Sequence, residues 1–137
     1  MQRTAELKST DVGVRKRRPG LRLFLLILLL LAAVIAGYTW VTLHYVYSAG
    51  ERTGYVQKIS KKGWLCKTWE GELAMTTVPG TAPQIFQFSV RDDATASKIV
   101  EYAGQRLALT YDQHKGLPNS CFGETEYFIT GVRPIGR

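Results

Sequence analysis

Glu70 and Glu72 stand two positions apart in the segment 64–78. If that segment is a strand, both carboxylates share one face. Paired carboxylates on one face serve general acid/base hydrolysis, although solvated strand carboxylates are the commoner use of the same pattern. A Ser or Cys nucleophile needs a base. Residues 51–137 contain a single histidine, His114, and nothing near it in sequence orients the ring. Cys66, Met75, His114 and Cys121 are soft ligands in kind, but their spacings match no standard metal site. The chain has no dinucleotide-type glycine loop, no Walker loop, no G-x-S-x-G and no C-x-x-C. The expectation is no catalytic residue, no metal ligand and no cofactor, and a non-enzymatic role.

A binding surface fits the residue types better. Lys61, Lys62, Trp64, Lys67, Glu70, His114, Lys115 and Phe122 combine cations, aromatics and a carboxylate. Aromatic faces with cations beside them stack planar groups and hold anions. Trp69 falls on the apolar side of its segment and reads as core, whereas Trp64, at the loop edge, reads as exposed.

The elements that must position these residues follow from periodicity. In 52–60 β-formers alternate loosely with polar residues, and Lys61-Lys62-Gly63 reads as a turn. In 64–78, Leu65, Trp69, Leu73 and Met75 make one face, with Cys66, Thr68, Glu70 and Glu72 opposite. Gly71 inside the run predicts a bulge or bend. The segment 85–91 alternates with Phe86, Phe88 and Val90 on one side. The period then lengthens: Ala96, Ile99, Val100 and Ala103 form a helical stripe that Asp92 or Asp93 caps and Gly104 ends. Leu107, Leu109 and Tyr111 alternate in 106–112, a Gly/Pro/Asn-rich loop follows, and 125–132 is apolar on both faces, which suits a central or barrel strand. Strand, strand, strand, helix, strand, strand is the order of the OB-fold, a five-stranded Greek-key barrel. The expected fold is an N-terminal transmembrane helix plus a small, mainly-β, OB-like domain, with a simple antiparallel sheet and packed helix as the plainer alternative.

Ahead of that domain lies an anchor. Residues 23–43 carry no charge, and thirteen of the 21 are Leu, Ile, Val or Phe. As a helix they span roughly 30 Å, about the thickness of a bilayer's hydrocarbon. Leu23, Leu30, Gly37 and Trp40 mark the anchor, and Ala33-x-x-x-Gly37 is a small-residue pair of the kind that packs copies of such a helix into a homo-oligomer. Seven Lys/Arg against Glu6 and Asp11 precede it, a net +5, and Tyr38, Trp40, Tyr45 and Tyr47 follow. Basic residues resist translocation and aromatic rings favour the headgroup level. The expected layout is a cytoplasmic tail at 1–22, a span at 23–45, a linker at 46–51 and a periplasmic domain at 52–137, in a bacterial inner membrane. A signal peptide cut after Ser48 is the rival reading, disfavoured by the length of the apolar run.

The chain's net charge is +7, yet residues 51–137 hold 11 Lys/Arg against 9 Asp/Glu, only +2. The excess belongs to the tail as a topology signal, so no nucleic-acid partner is expected. The partners expected are the lipid bilayer and an envelope protein, peptide or oligosaccharide. The cysteines, Cys66 and Cys121, both lie in the exported part. An oxidising compartment predicts one disulfide. The barrel order supports the same bond, because Cys66 follows the first of two loops that flank one face and Cys121 lies in the second.

The stretches YSAGERTGYVQKISKKGWLCKTWEGELAM (47–75) and SCFGETEYFITGV (120–132) resemble a group of short bacterial membrane-anchored proteins of unknown function. Some members carry a 6-phosphogluconate dehydrogenase label, an activity that 87 residues without a dinucleotide loop cannot house. In architecture the chain also looks like the haem chaperone of cytochrome c maturation, an anchored, exported OB-fold. That resemblance implies, as the alternative function, a haem or metal chaperone.

Overall fold

The computed structural model describes residues 19–75, 78–118 and 120–136. The basic tail read at 1–22 therefore lies outside the described residues up to position 18. The chain falls into two units, Met1–Val34 and Ile35–Arg137.

Helix α1 runs Pro19–His44 and buries none of its residues. Proline suits its first turn, where the missing N–H has no intrahelical partner in any case. At 26 residues it is long and apolar enough, by length and composition, to cross a membrane. Its Thr39 and Thr42 hydroxyls donate to the Ile35 and Thr39 carbonyls, so neither needs water. Leu23, Leu30 and Trp40 are exposed, and nothing stands within 4 Å of a methyl placed on Gly37.

The second unit holds strands β1 (Ser48–Lys62), β2 (Thr68–Met75) and β3 (Ile85–Val90), helix α2 (Asp93–Glu101), then β4 (Arg106–Gln113) and β5 (Tyr127–Pro134). The strands close in the order β1-β2-β3-β5-β4. All ladders are antiparallel except the closing contact of β3 with β5, where Ser89 meets Phe128. Strand β1 is shared: Gly54 and Tyr55 pair with Met75 and Ala74 of β2 and also with Leu107 and Arg106 of β4. The interior is Leu73, Phe86, Phe88, Val90, Leu107, Leu109 and Ile129, with Ala96 and Ile99 of α2 packed in. Asp92 caps α2 by accepting from the Thr95 amide at 2.9 Å.

Four expectations need correction. The segment read as a linker at 46–51 is strand from Ser48 onward, because β4 pairs with it from Gln113 to Thr110. The second strand is shorter than 64–78: residues 63–67 make a turn around Gly63 (φ 128°), and Leu65, expected inward, is 90% exposed. Gly71 makes no bulge. The register shift lies across the ladder between Val56 and Lys58, and Gly71 is small because the buried Phe88 ring lies over it, where a methyl would overlap the ring. Of the helical stripe, Ala96 and Ile99 are buried, while Val100 and Ala103 face out.

Candidate functional site

The alternation in β2 sends Leu73 inward and Glu70 and Glu72 outward. Outward is not exposed for Glu70. The loop leading into β5 folds over it, and only 6% of its surface remains accessible. Three groups donate to its carboxylate: the Thr68 hydroxyl at 2.7 Å, the Ser89 hydroxyl at 2.6 Å and the Glu124 amide at 3.1 Å. Ser89 Oγ also accepts from the Thr125 amide at 3.1 Å and lies 2.9 Å from Thr125 Oγ1. One carboxylate thus ties β2, β3 and the β4–β5 loop together. A buried charge is tolerated when hydrogen bonds replace its water, and these do.

Above this floor lies a cavity of about 160 Å³, lined by Lys58, Lys62, Glu70, Gly71, Glu72, Gln87, Glu124 and Thr125. Its register is a grid: Lys58 is opposite Glu72, Ser60 opposite Glu70, and Glu72 in turn opposite Gln87. Lys62 Nζ stands 3.8 Å from Glu124. Cations, carboxylates and a primary amide thus converge on a space about the size of one sugar ring or one side chain.

A second, neighbouring hollow of about 190 Å³ takes in Lys61, Lys67, Trp69, Arg91, Asp93 and Phe122. Trp69 Nε1 donates to Asp93 Oδ1 at 2.6 Å, and Lys61 Nζ sits 3.0 Å from the same oxygen and 5.4 Å from the Trp69 ring centre. These donors, Trp69 first and then Lys61, hold the Asp93 carboxyl below the usual carboxylate range. A carboxylate whose folded pKa is depressed stabilises the fold above its unfolded pKa, and the effect is lost as pH falls through the folded value. Acidifying from about pH 4 toward pH 2 should therefore release the Trp69 indole and shift its emission. Asp93→Asn should remove that part of the transition, which a fluorescence pH titration of the two proteins checks.

The residues expected to form one surface are divided. Lys62 and Glu70 belong to the first cavity; Lys61, Lys67 and Phe122 belong to the second. Trp64 is fully exposed beside them at the β1–β2 turn. His114 and Lys115 are elsewhere. His114 is only 6% exposed, its ring edge-on to Phe128 at 5.6 Å. Its Nδ1 lies 3.2 Å from the Thr42 and the Tyr45 carbonyl oxygens. Carbonyls only accept, so Nδ1 carries the proton and donates to backbone groups left open at the end of α1. Close by, Tyr38 Oη donates to the Gly116 carbonyl at 2.9 Å. His114 is therefore a fastening between loop and helix end rather than part of a binding face. Lys115 lies over the Tyr47 ring at 4.0 Å.

Cys66 and Cys121 are bridged, with Cα atoms 4.9 Å apart and a separation of 55 positions in sequence. Serine at both positions should cost about 2–4 kcal/mol, read as a lowered denaturation midpoint. With both thiols in the bridge, neither cysteine is free to ligate a metal or a haem iron. Among the described residues no cluster of three His, Cys, Asp or Glu side chains stands ready for a metal ion.

Ser89, Thr125, Glu124, Lys58 and Gln87 escaped the sequence reading. Cross-strand register brings in Lys58, Gln87 and Ser89, and the loop ahead of β5 brings in Glu124 and Thr125; no single segment carries either signal. The family model described as "Domain of unknown function (DUF8785)" matches residues 46–135. No curated protein and no solved structure matches the chain.

Proposed function

We propose that this chain, which belongs to the DUF8785 family, is a single-pass inner-membrane protein that presents a small OB-like barrel to the periplasm as a non-enzymatic binding module. Helix α1 supports the anchor, and the basic residues ahead of it support an N-terminus on the cytoplasmic side. The strand order, the helix between β3 and β4, and loops meeting over β2 and β3 support the OB-like assignment.

The observation that carries the binding role is the mixed-charge cavity over Glu70. Its floor is already rigid, so little ordering is left for binding to oppose. Lysines that donate and carboxylates that accept suit a ligand offering both hydroxyl or amine groups and carboxylates: an envelope peptide or an oligosaccharide, one unit at a time. Crosslinking in intact envelopes tests this. Wild-type chain should capture a specific peptide or glycan-bearing species, and the Lys58→Glu, Lys62→Glu double variant should lose it by roughly ten-fold or more. Equal capture by both proteins refutes the assignment of the site.

A further inference from the structure

We infer that the β1–β2 turn is a second membrane contact, in which Trp64 and Leu65 enter the anionic headgroup layer of the same bilayer that α1 crosses. The inference rests on the reading of α1 as a membrane anchor. Trp64 is 100% exposed and Leu65 90%, the two highest exposures among the large apolar residues described. A large apolar pair left in water on a small domain marks a contact surface. Around it the sequence is Lys61-Lys62-Gly63-Trp64-Leu65-Cys66-Lys67, with three cations and no acid. Lys61 pairs with Asp93 at 3.0 Å and Lys62 with Glu124 at 3.8 Å, while Lys67 makes no ion pair among the described residues.

That composition selects the partner. Tryptophan and leucine settle at the boundary of headgroups and acyl chains, and lysines beside them are drawn to anionic lipid. The disulfide fixes Cys66, next to Leu65, to Cys121 of the β4–β5 loop. The same loop begins at His114 and Gly116, which are hydrogen-bonded to Thr42, Tyr45 and Tyr38 at the end of α1. The tip and the helix end thus hang on one loop.

The full chain, reconstituted in vesicles of phosphatidylethanolamine and phosphatidylglycerol with brominated acyl chains, tests the contact. The chain has three tryptophans, Trp40, Trp64 and Trp69, so the difference between wild type and Trp64→Phe isolates the emission of Trp64. Brominated lipid should quench that component by roughly two-fold or more, and vesicles of phosphatidylcholine alone should quench it less. Lys61→Gln, Lys62→Gln, Lys67→Gln in one chain should reproduce the weaker quenching in anionic vesicles. Trp64 emission that ignores bromine and stays open to aqueous acrylamide overturns the inference. So does protection that grows with the protein-to-lipid ratio alone, which would place a second copy on the tip. Alkaline extraction separates the two levels: a chain released from vesicles sinks the anchor itself, whereas a retained chain with Trp64 in water sinks only the tip contact.

Discussion

Glu70→Ala is expected to destabilise the barrel by about 4 kcal/mol, whereas Glu72→Ala, two residues along the same strand face, should cost less than about 1 kcal/mol. The carboxylate accepts from Thr68, Ser89 and the Glu124 amide, and a hydrogen bond to a charged group is worth about 1.5–3 kcal/mol. The full sum overstates the loss, since half-buried Thr68 regains water and Ser89 retains Thr125. The Glu124 amide also loses its acceptor, and the loop it belongs to loses its fastening to β2. Glu70→Gln keeps the shape but turns an amide nitrogen toward a donor, so an intermediate loss follows. Urea or thermal unfolding monitored by near-ultraviolet circular dichroism measures all three. Equal losses for Glu70→Ala and Glu72→Ala would mean that Glu70 is not the buried keystone described here.

Gly54→Ala should be harsher still, about 4 kcal/mol or more, with failure to accumulate in cells as the visible outcome. Gly54 is where β1 passes from its β4 partner to its β2 partner, so backbone closes in from both sides. A methyl there overlaps the Ala74 carbonyl and comes within 2.9 Å of Met75 Cα. Overpacking against a side chain is relieved by a rotamer change, but here the obstacle is the neighbouring strand itself. Gly71→Ala is the informative comparison. Its obstacle is the Phe88 ring, which can shift, so the protein should fold and lose less. If Gly54→Ala behaves like Gly71→Ala, the strand does not pivot at this point.

Much of the barrel was legible because alternation and glycine placement are local. Leu73, Phe86, Phe88, Val90, Leu107 and Leu109 were readable as inward, and all are buried. The helix between the third and fourth strands showed itself by its change of period, with Asp92 as its cap. The cysteine pair was readable from the element order together with the expected oxidising compartment. Leu65 misled because alternation was carried through a turn, where it has no meaning.

By itself the sequence determined an uncharged run long enough for a bilayer, the order of strands and helix, and which side of each strand is apolar. These are properties of neighbours along the chain, set by residue type and period. Only the tertiary structure decided that Glu70 is buried, that His114 fastens a loop to the end of α1, and that the expected binding residues are split between two hollows with Trp64, His114 and Lys115 in neither. Periodicity says which way a side chain points. What covers it there depends on a loop some fifty residues away, and that is settled by how the barrel closes.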